Sequence, residues 1–302
     1  MTSPPQGAGQ TLKFTTLDVF TSERFAGNPL AIVQVPQTVR LSQETKQVIA
    51  REFNLSETVI LHEPEDETAP VTIDIFMTDA ELPFAGHPTV GSSWFLLSKR
   101  MNEETVTLRT KAGDILARRE EEGKVRLRVP TNFKTHAPYQ IDQIKAQQKA
   151  LKSEDYVNGF DGAEPVASIV KGMTFLLLKV TSEDALGRFR SYAEHLHIPA
   201  LGDWAKFIGV YIYFERPDGV IRTRMFDATL EDPATGSAAS TLAGYLALQK
   251  GPGKWDFQLI QGVEMGRKSE INVWVEVGQD NQITSVELGG TAVSVMEGFI
   301  TI

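Results

Sequence analysis

The sequence predicts an α+β fold built from two copies of one unit. Three observations carry this. The chain has 302 residues, enough for about two domains. Runs rich in β-branched and aromatic residues outnumber the stretches with helical periodicity. MTDAEL at 77–82, followed by HPTVGS at 87–92, returns as MFDATL at 225–230, followed by DPATGS at 232–237. Both pairs stand in the same order and in the same expected context of strand, loop and proline-started helix. Chance accounts for either hexamer alone; the ordered pair favours duplication.

Residues 1–11 are assigned to a disordered tail. MTSPPQGAGQ has neither the basic start nor the apolar stretch of a signal peptide. LKFTTLDVF then reads as a strand, and Gly27-Asn28-Pro29 as a turn before a strand over 30–35. Ser42 caps a helix to about Phe53, with Val48, Ile49 and Phe53 on one face and Asn54 as its stop. Strands over 55–61 and 71–78 follow; the second alternates Val71, Ile73, Ile75 and Met77. Pro88 is expected as the first residue of a helix with His87 as its N-cap, because proline's missing N–H would be unpaired there anyway. Strands over 105–109, 115–118 and 125–129 come next. A polar passage over 130–164, with a short helix, links the halves. VASIVKGMTFLLLKV is two strands or one bent strand, and a helix is expected over 182–195. GVYIYFE and VIRTRMFD are strands. A second proline-started helix has Asp232 as N-cap, Pro233 first and Gly251 just past its end. INVWVEV and VSVMEGFITI close the chain as strands.

Composition narrows the function. Hydrophobic residues make up 41% and charged residues 23%, close to the usual globular mix. The 39 acidic residues exceed the 30 basic ones, for a formal charge of −9. That balance argues against sequence-independent nucleic-acid binding and against an anionic membrane surface. No apolar run approaches the ~20 residues that cross a bilayer. A soluble, cytoplasmic protein is the expectation. There is no cysteine, which removes disulfides, zinc–thiolate sites, iron–sulfur clusters and thiol nucleophiles. No GxxxxGK[ST], HExxH or complete GxGxxG is present. His195 and His197 have no nearby acidic pair to complete a metal site, so no metal and no cofactor are expected.

The repeated segment carries the chemistry. The first turn of a helix has N–H groups without intrahelical partners and about half a positive charge. Small residues let a ligand approach that backbone. Gly86, Thr89, Gly91 and Ser92 supply this in one copy, and Ala234, Thr235, Gly236 and Ser237 in the other. Each copy is a candidate seat for a carboxylate or a developing enolate. A DPxxGS string is also consistent with nothing more than a well-started helix. Duplication would bring the two helix starts, with His87 and Asp232, to one cleft. Glu57 stands where a helix gives way to a strand, among Leu55, Val59, Ile60 and Leu61. A carboxylate at an apolar edge has its pKa raised, as general acid/base work needs. A solvated glutamate at a strand end is the plainer alternative.

LDVFTSERFAGNPLAIV, REFNLSETVI, FMTDAELPFAGHPTVGSSWFL and MFDATLEDPATGSAASTLAGYLA, in this order, resemble the phenazine-biosynthesis PhzF-like family. The resemblance runs from near Leu17 to the C-terminus. It implies a diaminopimelate-epimerase-like fold of two pseudo-symmetric domains, each a curled, barrel-like mixed sheet around a central helix. The domains would span 12–133 and 134–290, with the strand at 291–302 a candidate to complete the first. The resemblance also implies a cofactor-independent isomerase, often a homodimer, acting on a small carboxylate-bearing metabolite. Glu57 would be its acid/base, with His87 and Asp232 in support. Gly86, Gly236 and Ser237 would contact substrate, and Asn28, Ser56 and Thr235 complete the expected binding set. A non-catalytic metabolite-binding member, or a lyase or hydrolase with the same acid/base groups, stays open at this point.

Overall fold

The computed structural model of the chain describes residues 10–64, 66 and 69–302. The first half runs β1 (Thr11–Val19), β2 (Asn28–Val35), α1 (Gln43–Phe53), β3 (Thr58–His62), β4 (Val71–Phe76), β5 (Glu81–Leu82), α2 (Gly86–Lys99), β6 (Thr105–Thr110), β7 (Gly113–Arg119) and β8 (Val125–Arg128). The second half opens with β9 (Lys134–Tyr139), α3 (Asp142–Gln147), β10 (Glu164–Val170), β11 (Met173–Lys179), α4 (Glu183–Arg188), β12 (Phe207–Glu215) and β13 (Ile221–Asp227). It ends with β14 (Leu230–Asp232), α5 (Gly236–Lys250), β15 (Gly253–Gln261), β16 (Ser269–Val277), β17 (Ile283–Gly290) and β18 (Ala292–Thr301).

The two halves pair their strands in the same order. β1 is antiparallel to β2, β2 parallel to β3, β3 antiparallel to β4 and β4 parallel to β6. β6, β7 and β8 then follow antiparallel. β10 to β17 repeat this sequence pair for pair, with β13 to β15 as the second parallel step. The hairpins β4–β5 and β13–β14 fall at the same point in each half. β18 lies antiparallel on β1 as β9 lies on β10, so the last strand of the chain closes the first half. β8 pairs with β17 and joins the halves.

Both faces of the central strands are covered, which explains their near-continuous apolar runs. In the first half, Leu30, Ile32, Ile73 and Ile75 pack inward around Val90 and Phe95 of α2. Val33, Val35, Ile60 and Phe76 pack outward against Ile49 and Ala50 of α1. In the second half, Phe175, Leu177, Tyr211 and Met225 face Leu242 and Ala243 of α5. Leu176, Leu178, Val210 and Ile212 face Ile144 of α3 and Leu186 of α4. α2 and α5 are buried on nearly every side, as central helices must be.

Several expectations need correction. Thr11 belongs to β1, and Gln10 accepts a hydrogen bond from the Ile302 N–H, so the ordered chain reaches into the supposed tail. Residues 1–9 lie outside the described residues. Asn28 and Pro29 are the first residues of β2 and not a turn. Val48 is exposed, while its neighbour Ile49 is buried. The helix expected over 182–195 ends at Arg188. Arg224, reaching from β13, donates to the Leu186 and Phe189 carbonyls, and so satisfies the helix end from outside. Among the described residues, no helix is long and apolar enough to cross a membrane.

Candidate active site

α1 stops at Asn54, whose left-handed φ of 51° turns the chain and whose N–H still bonds the Ala50 carbonyl. Ser56 is exposed on the way out, and Glu57 immediately precedes β3. The parallel pairing of Thr58 with Ala31 fixes this junction. The Glu57 side chain is mostly buried, and its Oε2 lies 3.3 Å from His87 Nδ1.

The two central helices begin elsewhere than their sequence signals suggest. α2 starts at Gly86 after an Ala85 N-cap, so His87 is the second helical residue and Pro88 the third. α5 starts at Gly236 after a Thr235 N-cap, so neither Asp232 nor Pro233 is in the helix. The repeat is also registered differently. Leu82 pairs with Ile75 as Asp232 pairs with Met225. ELPFAGH therefore corresponds in space to EDPATGS, which places His87 opposite Ser237 and Leu82 opposite Asp232. The helix starts nonetheless meet: a Cβ on Gly86 would come within 3.4 Å of the Gly236 Cα, and a Cβ on Gly236 would come as close to Gly86.

This meeting point forms a cavity of about 100 Å³. Its polar lining is Glu57, His87 and Asp232, with Gly86, Thr235, Gly236 and Ser237 at the helix starts. Leu82, Phe84, Val129, Ile169, Met173 and Leu288 supply apolar walls, and among the described residues no Lys or Arg lines the cavity. Asn28 does not line it. Its Nδ2 donates to Asp232 Oδ1 and to the Ala234 carbonyl, each at 2.9 Å. It holds the carboxylate from behind, reaching from the first half to the second. The Thr235 hydroxyl donates to Asp232 Oδ2. Three of the small residues expected to open the α2 start face elsewhere. The Thr89 hydroxyl bonds the Ala85 carbonyl, Gly91 is pressed against Leu30 and Val19, and Ser92 is fully buried.

Burial tunes the three titratable groups apart. It raises the Glu57 carboxyl above its ordinary range, opposed by the Ser56 hydroxyl. Burial and the Glu57 charge push Asp232 up to about 6, against the Thr235 hydroxyl and His87. Burial draws His87 down to about 4, opposed by the Asp232 charge and the nearby Pro29 carbonyl. At neutral pH the imidazole is therefore uncharged. His87 Nδ1 lies 3.3 Å from Glu57, and its Nε2 is buried with no hydrogen-bond partner among the described residues.

Sequence reasoning missed the apolar walls and Gln261, which bonds Asp232 and Thr235 from below. One signal was available. Phe257, Leu259 and Gln261 are the inward positions of β15, and an amide in that series has to find partners.

Comparison with known proteins identifies the family. The family model for phenazine biosynthesis-like proteins, PhzC-PhzF, matches residues 17–298. An uncharacterised isomerase of Mesorhizobium japonicum is 34% identical, covering 96% of this chain and 98% of its own. The trans-2,3-dihydro-3-hydroxyanthranilate isomerase of Pseudomonas aeruginosa is 30% identical, covering 95% of this chain and 98% of its own. The crystal structure of a PhzF-family protein from Bacillus anthracis superposes with a TM-score of 0.77 at 24% identity, over 97% of this chain and 100% of that one. The fold is the expected α+β, epimerase-like one. The chain belongs to the phenazine biosynthesis-like family and is an isomerase of that family.

Proposed function

We propose that the protein isomerises or epimerises a small carboxylate-bearing metabolite by general acid/base catalysis, with Glu57 moving the proton and no cofactor taking part. The observation that carries this reading is the convergence of Glu57, His87 and Asp232 on one small cavity at the meeting of two helix starts. With no Lys or Arg lining the cavity among the described residues, the N–H groups of Gly86 and His87, and of Gly236 and Ser237, are the seats for a substrate carboxylate. They would also stabilise the charge that develops next to it when a proton leaves carbon.

Glu57 has the properties of the base: desolvated, held at a strand entrance and 3.3 Å from a neutral imidazole. It takes the proton from the carbon next to an unsaturated or carbonyl group. The proton returns to another carbon, or to the other face of the same one, from Glu57. Asp232, with a pKa pushed up to about 6, lines the same cavity and is mainly the carboxylate at neutral pH. The apolar walls and small volume suit a compact, partly unsaturated substrate over a polymer.

The test is proton exchange in D₂O, read by mass spectrometry. The probes are trans-2,3-dihydro-3-hydroxyanthranilate, for which the Pseudomonas relative is named, and a panel of small carboxylate metabolites. Wild type is expected to introduce deuterium into one of them. Glu57→Gln is expected to lose roughly 10² to 10⁴ in rate while keeping the wild-type circular dichroism spectrum. A folded Glu57→Gln protein with full exchange would remove Glu57 from the mechanism. A ligand retained by wild type without exchange would mark a binding protein.

A further inference from the structure

Behind the Asp232 carboxylate lies a hydrogen-bond cluster that the proton transfer does not itself use. Gln261 ends β15 and is fully buried. Its Nε2 donates to the Asp232 carbonyl at 2.7 Å and to Thr235 Oγ1 at 3.0 Å. Its Oε1 accepts from the Thr235 N–H at 3.2 Å and from the Tyr211 hydroxyl at 3.1 Å. Both donors and both acceptor positions of the amide are therefore occupied. The next residue, Gly262, has a φ of +75°, and a Cβ there would lie 2.6 Å from the Pro233 carbonyl oxygen. The end of β15 is moulded around the turn that carries Asp232.

The direction of these bonds matters. A threonine hydroxyl has one proton. Gln261 Nε2 can only donate, so Thr235 Oγ1 accepts from it, and the hydroxyl proton goes to Asp232 Oδ2. Asn28 Nδ2 donates to the other carboxylate oxygen. Both oxygens of Asp232 thus accept, an arrangement that favours the charged form. A protonated Asp232 would have to displace one of these donors.

We propose that Gln261 is a positioning residue for the reaction: by orienting the Thr235 hydroxyl, it holds Asp232 in the cavity wall as a carboxylate that accepts on both oxygens. This deepens the acid/base reading above and rests on it. A purely structural amide would support the fold without acting through Thr235, and a double-mutant cycle separates the two.

The readout is the titration of the Asp232 carboxyl carbon by NMR in wild type, Thr235→Val, Gln261→Met and the double variant. Thr235→Val removes only the hydroxyl and is expected to raise the Asp232 midpoint by about one pH unit. Gln261→Met is expected to raise it too, and the double variant to go no further than Thr235→Val alone. Thr235→Ser restores the wild-type midpoint. With trans-2,3-dihydro-3-hydroxyanthranilate as probe, the acid limb of kcat/KM follows the same midpoints. An unmoved midpoint in folded Gln261→Met, or shifts that add in the double variant, overturns the proposal. Where Gln261→Met does not fold, an unmoved midpoint in Thr235→Val overturns it. The titration needs no turnover, so its failure differs from that of the Glu57 assignment, which is read by proton exchange.

Discussion

Asp232 and His87 share a cavity wall and answer pH in opposite senses. Asp232 is raised to about 6 by burial and by Glu57, so the folded chain takes up its proton more readily than the unfolded chain does. Its contribution to stability is fully present below an unfolded pKa of about 4 and is lost as pH rises through about 6. His87 is drawn by burial from 6.5 to about 4. Its contribution is present above 6.5 and is lost as pH falls through about 4. Each displacement is worth about 3 kcal/mol, so in wild type the two nearly offset one another across this window. Removing one exposes the other. Relative to wild type, Asp232→Asn is expected to lose about 3 kcal/mol on going from pH 7 to pH 4, and His87→Gln to gain a similar amount. Urea unfolding of the three proteins at both pH values measures this. Parallel pH profiles would show that neither group is shifted by its burial.

α2 and α5 approach start to start, and the contact tolerates almost no side chain. A Cβ on Gly86 or on Gly236 would lie 2.8 Å from Leu288 Cδ2 and 3.4 Å from the opposite glycine's Cα. Gly86→Ala alone can be met by turning Leu288 away, at roughly 1–3 kcal/mol for the overpacking. Gly86→Ala with Gly236→Ala directs two methyl groups at the same leucine and at each other, and the loss is expected to exceed the sum of the single changes. Leu288→Ala should recover part of the single-variant loss. Thermal unfolding of the set tests this; a double variant with the wild-type Tm would mean the helices do not meet here. The sequence signals for these helix starts misled for a physical reason. Proline is tolerated wherever its N–H would be unpaired, and that holds through the first turn, so Pro88 stands third as comfortably as first. Asp232 followed by a proline has the form of a cap, but its oxygens are committed to Asn28 and Thr235. α1 shows the opposite case. Ser42 and Asn54 act through local bonds alone, and the helix lies where they indicate. Gln261 left only a faint trace, because its role depends on a turn far from it in sequence.

In the whole molecule, duplication was legible but its register was not. Matching hexamers aligned His87 with Asp232, whereas strand pairing sets Leu82 opposite Asp232 and His87 opposite Ser237. The fold is repeated and the chemistry is not: the first half brings Glu57 and His87 to the shared cavity, and the second brings Asp232. The pairing also shows what closes each half. β9 covers β10 soon after the crossover, but the equivalent place on β1 waits for β18, the last strand of the chain. The hold of β18 on β1 can be tested by truncation. Truncation after Gly290 would leave β1 with its outer edge unpaired along nearly its whole length, since β18 partners it from Thr11 to Val19. β1 also buries Leu12, Leu17 and Val19, so the new edge would be apolar and prone to pair with another chain. Hydrogen exchange of the truncated protein is expected to show fast exchange in β1 and β2, while β11, β12 and β13 stay protected by their own neighbours. The cavity would suffer at a distance. Asn28 opens β2 and carries the bond to Asp232, so loosening β2 frees that carboxylate, and proton exchange should fall along with protection in β1. Protection lost equally in both halves would instead make the core that spans them a single cooperative unit, with β18 no more local to the first half than to the second.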